Sequence, residues 1–255
     1  MASWCDKLAS TPTVGFKLDP NFLSGDTLLG SLTAITNSYY DQDKAKFTME
    51  KHESFAVQFS GEDGYTYSID PTKISVAFMH KVRAKLTSGG LPRVETTSED
   101  APYSILLDRT VEKAIELLVS VPNEAGRKLK RIGMVTTSVT NQEDMPPGVA
   151  KLLMYLGRPW NNKLSSYHMQ ITATLKKSET EEDRCIYTIV KGDEHEDLIN
   201  FSFDWQRLYL SGKSIERKQV QDTVRLAQRA ALAYFEAIAE GNEWDEKLLS
   251  STSKR

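Results

Sequence analysis

Histidine and cysteine are the side chains of this chain best suited to acid–base, nucleophilic or metal chemistry. Neither Cys5 nor Cys185 has a histidine beside it in the sequence, and no G-x-S-x-G nucleophile turn is present. The four histidines stand at no metal-motif spacing such as H-E-x-x-H; they are His52, His80, His168 and His195. The sequence therefore predicts no catalytic residue, no metal ligand and no cofactor.

His168 has the most suggestive surroundings, because it lies on the polar face of a predicted strand in which apolar and polar residues alternate. Gln170 shares that face, and Asn200 stands on the polar face of a later strand. A sheet with one polar face either meets water or lines a binding groove, so these three residues form a candidate groove. Asp204 is excluded as a catalytic partner of His168, since the two would lie roughly 20 Å apart along the sheet at about 3.4 Å per residue.

A basic cluster opens the stretch GRKLKRIGMVTTSVTNQ at the middle of the chain. It has two interpretations, either a solvated strand end or an anion site that contacts phosphate. The net charge of −3 favours the first, because general nucleic-acid binders usually carry a basic excess. The cluster consists of Arg127, Lys128, Lys130 and Arg131.

A tryptophan in the segment GRPWNNK is the candidate partner-binding residue. Trp160 stands between a predicted helix and a predicted strand, with Arg158 and Lys163 close in sequence. Tryptophan flanked by cations is common in protein interfaces and can also stack on nucleic-acid bases. The alternative is that Trp160 folds back onto the core.

The second half of the chain shows the clearest pattern of elements. SYHMQITATLK, CIYTIVK and LINFSFDW predict an antiparallel meander, joined by the charged connections KSETEEDR and GDEHED. A helix follows, with Ser214 as N-cap, Gly241 after its end and Leu232 and Phe235 expected to be mostly buried. We expect the odd-numbered apolar face of the meander, which includes Phe201, to pack under this helix.

In the second half, a predicted strand KRIGMVTTSV and a predicted helix PPGVAKLLMYLG precede the meander, and the first half supports the same order of elements. TVGFKL predicts a strand, SGDTLLGSLTAITNSYY a helix, and FAVQF, YTYSI and ISVAF a meander closed by the helix SILLDRTVEKAIELLVSV. The predicted fold class is therefore α+β, with two similar β-α-β-β-β-α halves whose antiparallel sheets pack against helices. The predicted divisions are residues 1–122, 123–245 and a flexible tail at 246–255, with a loop at 87–102.

Composition restricts the class of protein. At 255 residues, with 40% hydrophobic and 26% charged residues, the chain has an ordinary globular composition. Two cysteines favour a reducing compartment. The N-terminus lacks the basic and apolar segments of a signal peptide, and no apolar run reaches the roughly 20 residues of a membrane span. These features predict a cytoplasmic protein that is not inserted in a membrane.

Three short motifs remain: an acidic-glycine hairpin turn at Glu62, Asp63 and Gly64, a strand core at Arg131, Ile132 and Gly133, and a helix end at Phe235 and Glu236. Together they resemble a broad family of uncharacterised prokaryotic proteins of similar length. After Gly133 the family pattern continues with arginine, whereas this chain has methionine. The resemblance implies a prokaryotic source and transfers no catalytic residue.

Together these features predict a non-enzymatic binding protein, or a subunit of a prokaryotic cytoplasmic complex, that recognises a protein partner. One alternative is a hydrolase or nuclease that uses the polar sheet face. Another is a nucleic-acid-binding component that uses the basic cluster of residues 127–131. The sequence predicts no oligomeric state.

Overall fold

The computed structural model describes residues 6, 8, 10–20, 26–34, 47–86, 92–96, 98, 100–122, 126–157, 159, 166–192 and 198–240. The predicted site residues Arg158, Trp160 and Lys163 lie outside the described residues, as do His195, Cys5 and the 246–255 tail. Eleven strands and four α-helices are found within the described part of the chain. The fold is α+β, as predicted.

The strands are numbered in chain order. They are β1 Thr11–Leu18, β2 Phe47–His52, β3 Val57–Gly61, β4 Tyr65–Ile69, β5 Lys73–Phe78, β6 Val82–Leu86, β7 Pro92–Thr96, β8 Leu129–Asn141, β9 Tyr167–Lys177, β10 Glu181–Lys191 and β11 Leu198–Lys213. The helices are α1 (residues 26–34), α2 Tyr103–Ser120, α3 Pro147–Gly157 and α4 Arg217–Glu240.

Nine of these strands form one antiparallel sheet in the order β2-β3-β4-β5-β1-β8-β11-β10-β9. The strands β6 and β7 form a separate hairpin. The hairpin corrects the predicted loop at 87–102, because β7 lies inside that range. Pro92 is the first residue of β7, a position where the missing N–H of proline is tolerated in a strand.

The chain divides into two compact units whose boundaries cross both β8 and β11. The first unit comprises residues 11–132 and 211–221, and the second comprises residues 1–10, 133–210 and 222–255. This division differs from a simple cut near residue 122. Residues 1–10 belong to the unit formed by the later part of the chain, and residues 211–221 belong to the unit formed by the earlier part. The two long strands each contribute residues to both units.

The first unit contains the strands β1 to β5, with α2 packed on β1 and β5. Its β3–β4 connection is the predicted acidic-glycine turn. Gly64 there has φ +96°, and a Cβ at this position would lie 2.7 Å from the carbonyl oxygen of Met79. Asp63 accepts a hydrogen bond from the Tyr65 amide at 3.2 Å. Glycine is therefore required both for the backbone angle and for the close approach.

The second unit confirms the predicted meander and its register. The odd-numbered residues of β10 and β11 face α4, where Tyr234 stacks on Phe203 at 5.1 Å and 17° and also contacts Tyr187. Phe235 is buried as predicted, but Leu232 is only half-buried. The helix begins at Arg217 rather than near Ser214, because β11 continues as far as Lys213.

The predicted repeat is not confirmed. The second half has the predicted order β8, α3, β9, β10, β11, α4, but the first half adds β2 to its meander and inserts the β6–β7 hairpin before α2. In each half the last strand of the meander pairs with the first strand of that half, β5 with β1 and β11 with β8.

Candidate binding face

The strands β9, β10 and β11 have one covered face and one uncovered face. Along β10 and β11, the buried odd-numbered residues include Cys185, Phe201 and Trp205, and they lie on the side of α4. The even-numbered residues point to the other side. Glu182, near the start of β10, is buried there, whereas none of the twelve in the ranges 168–174, 184–190 and 200–206 is buried. We call these twelve side chains the open face.

The register of the three strands arranges the open face as a grid. Each row places one residue of β10 between one residue of β9 and one of β11. The four rows are His168, Val190 and Asn200; Gln170, Thr188 and Ser202; Thr172, Ile186 and Asp204; and Thr174, Arg184 and Gln206.

The predicted groove residues all belong to the open face. His168 and Asn200 occupy the same row on either side of Val190, which places them about 10 Å apart across two strand spacings. Gln170 is in the next row. Asp204 lies two rows from His168, roughly 17 Å away by strand spacing and rise, so the two cannot share a proton.

The face is composed mainly of hydroxyl, amide and aliphatic side chains. The rows contain three threonines and one serine beside the half-exposed aliphatic residues Ile186 and Val190. Two leucines of β11 extend the face at its ends, Leu198 at 47% and Leu210 at 54% exposure. Such a surface offers both hydrogen-bonding groups and apolar contact area to a macromolecule.

Its few charged groups already have partners within the protein. Arg184 donates a hydrogen bond to Glu182, and this bond holds the pKa of Glu182 below its usual value. Asp204 accepts a hydrogen bond from Gln206. The open face is therefore poor in unsatisfied charge, a property shared by the centres of protein interfaces.

A buried ion pair fixes the end of the covered face. Arg207 donates through Nε and Nη2 to the two carboxylate oxygens of Asp183, each at 2.7 Å, and through Nη1 to Thr223 Oγ1 of α4 at 3.4 Å. The hydrogen bonds to Asp183 raise the pKa of Arg207. Through these hydrogen bonds Arg207 connects β11 with β10 and with α4.

The predicted hairpin connection KSETEEDR is present, but it is shorter than predicted. The connection is a short turn in which Ser178 Oγ accepts hydrogen bonds from the amides of Thr180 and Glu181. The strand β10 already begins at Glu181, so Glu182 and Asp183 are strand residues and both are buried.

The basic cluster is divided by the structure. Arg127 is buried, and its desolvation lowers the pKa of the guanidinium. Lys130 forms an ion pair with Asp19 at 3.1 Å. Lys128 lies against Gly212, whose φ is +71° and whose missing Cβ would otherwise approach the Lys128 Cβ to 2.8 Å. Arg131 is half-buried, so the four cations do not form one exposed patch.

The reactive side chains that the structure describes do not converge. Burial raises the pKa of Cys185 to about 12, so its thiol keeps its proton at neutral pH. His52 contacts Asp26 at 3.3 Å, and His80 packs edge-on against Phe78. Among the described residues, no three or more His, Cys, Asp or Glu side chains gather as a metal ion would require.

None of the helices in the described ranges combines the length and the apolarity of a membrane-spanning segment. Comparison of the chain with protein-family models, with curated proteins and with solved structures finds no match. The open face is therefore interpreted from its own chemistry.

Proposed function

We propose that this chain is a non-enzymatic binding protein that recognises a protein partner through the open face, as a subunit of a prokaryotic cytoplasmic complex. The observation that carries the proposal is the contrast in cover. A packed core and α4 lie under one face of β10 and β11, while none of the twelve side chains of the open face is buried.

The open face is stiff, which favours binding. Threonine, valine and isoleucine are branched at Cβ and keep few side-chain conformations in a strand. Thr188, Ile186 and Val190 therefore lose little conformational entropy when a partner covers them. The backbone beneath them is held by the aromatic packing of Phe203 and Tyr187 against α4.

The composition of the face matches a protein partner better than a polyanion or a substrate. Exposed leucines at its ends supply apolar area, and its hydroxyl and amide groups supply hydrogen bonds. A phosphate backbone would require exposed cations, whereas Arg184 is bound to Glu182. Hydrolysis would require a base near a second reactive group, and His168 lies too far from Asp204 to act with it.

The experiment is quantitative affinity capture with matched arginine variants. Thr188→Arg and Ser202→Arg place a long charged side chain at the centre of the open face. Thr48→Arg is the control, because Thr48 is an exposed threonine on the edge strand β2, away from this face. The wild-type protein and the control should capture the same proteins from host extract, and the two open-face variants should lose them.

The partner should then be purified and its affinity measured by calorimetry. Each open-face variant is expected to weaken binding at least about 100-fold, which corresponds to about 2.7 kcal/mol. Equal affinity for wild type, Thr188→Arg and Ser202→Arg would show that the partner binds elsewhere. Turnover of a substrate by the purified wild type that is lost in these variants would assign the face to an enzyme instead.

A further inference from the structure

The strand β9 is an edge of the nine-stranded sheet as far as the structure describes it. One side of β9 pairs with β10 from Tyr167 to Lys177. The other side presents backbone N–H and C=O groups in the plane of the sheet, and such an edge is a template for pairing with another strand.

This edge lacks the features by which proteins usually protect an edge strand. The segment from Tyr167 to Leu175 contains no Pro, Gly, Asp, Glu, Lys or Arg. Its pairing with β10 is regular as far as Thr174, and the register shift falls at the end of the segment. Long, regular and uncharged edges are the ones that associate.

The opposite edge, β2, is protected. It has six residues, and a register shift interrupts it between Met49 and Lys51. Glu50, Lys51 and His52 are charged or titratable and exposed, and Glu50 accepts a hydrogen bond from Gln58. A short, bulged and charged edge discourages pairing, so the two edges of the sheet differ in kind.

The covered face also ends abruptly at β9. The odd-numbered residues of β10 and β11 are buried along most of their length, whereas the corresponding residues of β9 remain half-buried. This apolar stripe consists of Tyr167, Met169, Ile171, Ala173 and Leu175. An apolar layer that extends beyond the helix covering it is stabilised when a second apolar layer packs beside it.

We propose that β9 pairs antiparallel with β9 of a second copy of this chain, with the two-fold axis at Ile171. The occupant is a second copy because the stripe is complementary to itself. Its centre is Ile171, and reversing it about that residue places Tyr167 opposite Leu175 and Met169 opposite Ala173. Every apolar residue then meets an apolar residue, as isologous interfaces require.

The charge distribution fits the same register. On the other face of the strand, His168 lies opposite Thr174 and Gln170 lies opposite Thr172. Lys176 and Lys177 lie beyond the apolar stripe, so no lysine faces a lysine or a histidine of the second copy. A shift of the axis to Thr172 would bring Lys176 opposite His168 and Lys177 opposite Tyr167, which disfavours that register.

The pairing of nine residues forms an edge about 30 Å long and contributes roughly nine backbone hydrogen bonds, close to the number in an ordinary interface. A dimer held mainly by one strand pair should be weak, so we expect it to depend on concentration. Because the two-fold axis is perpendicular to the sheet, both open faces point to the same side. The dimer therefore presents two open faces to one side. Binding of a partner by both faces, unlike the dimer itself, rests on the proposed function.

Sedimentation equilibrium of the purified chain tests the proposal. Across about a hundredfold range of concentration, the wild-type mass should rise from 28.7 kDa towards twice that value. Ile171→Lys places two ammonium groups at the axis and should remain monomeric throughout. The control Met49→Lys changes an exposed residue of β2, 50% accessible, and should dimerise as the wild type does. A wild type that stays monomeric, or an Ile171→Lys variant that dimerises equally, would overturn the proposal.

Disulfide trapping supplies a test that does not depend on the folding of the lysine variant. Directly opposite Cβ atoms in an antiparallel pair lie about 4.5–5.5 Å apart, near the reach of a disulfide. In a Cys5→Ser background with oxidised glutathione as oxidant, Ile171→Cys should form covalent dimers at least about tenfold faster than Met49→Cys. Equal rates for the two variants would contradict the pairing. Partner capture that Thr188→Arg and Ser202→Arg leave unchanged, with an intact dimer, would instead count against the proposed function alone.

Discussion

The two faces of β9, β10 and β11 share one backbone, and they differ only in the side chains that alternate between them. In β11, Phe201, Phe203 and Trp205 are each 1% exposed, while the alternate residues Asn200 and Ser202 remain accessible. The comparison shows that one strand specifies core and surface at once. What limits the core is the footprint of α4, since the same alternation leaves the apolar side of β9 only half-buried.

The largest effect is expected when a side chain of the covered face is truncated. Phe201→Ala removes a fully buried aromatic ring and should lower the free energy of unfolding by about 3–5 kcal/mol. The control is Asn200→Ala, one residue earlier on the opposite face, which should change it by less than about 0.5 kcal/mol. Urea denaturation monitored by circular dichroism measures both. Equal losses in the two variants would contradict the assignment of the faces.

The parts of the fold that could be predicted from sequence are those in which periodicity and packing coincide. Alternation from Ile199 to Trp205 predicts which side chains meet the helix, and the helical pattern predicts the burial of Phe235, which is 3% exposed. The polar side of the same strands predicts His168 and Gln170 on one accessible face. These inferences need only the period of a strand and of a helix.

The features that could not be predicted from local sequence patterns depend on contacts between residues far apart in the sequence. Charge-rich KSETEEDR has the composition of a loop, but Asp183 is directly opposite Arg207 in the register of the β10–β11 hairpin. In an antiparallel hairpin, residues equally far from the centre of the connection are paired. Counting outward from the β10–β11 connection would therefore have predicted the pair of Asp183 and Arg207. The burial of Arg127 could not be predicted from the sequence, because it depends on residues that pack around it only in the folded chain.

A smaller effect is expected from the buried thiol of the covered face. Desolvation raises the pKa of Cys185 to about 12, whereas an unfolded thiol ionises near about 8.5. Between these values the unfolded chain has released the proton and the folded chain retains it. The free energy of unfolding should therefore fall as pH rises, by about 1 kcal/mol between roughly pH 8 and pH 9.5.

The matched variant for this effect is Cys185→Ala, which loses packing at every pH but should show a flatter dependence over the same interval. Urea titrations at a series of pH values give the slope. Burial also raises the pKa of Tyr65, Tyr167 and Tyr187, and these tyrosines are present in both proteins, so the difference between the two slopes reports the thiol. An unchanged slope in Cys185→Ala would mean that the thiol is accessible, and that the covered face is less well sealed than its exposure indicates.

The smallest effect is expected at the centre of the open face. Ser202 lies in the row of Thr188 and Gln170 and is half-exposed, so water can replace any hydrogen bond that its hydroxyl makes. Ser202→Ala should therefore change the free energy of unfolding by no more than about 0.5 kcal/mol.

A loss above about 1.5 kcal/mol would indicate a hydroxyl sealed from water, because only then does removing it leave a polar partner unsatisfied. That result, measured on the isolated chain, would mean that another part of the protein covers the open face. The contrast between the two faces would then disappear, and a partner could reach this surface only by displacing that cover.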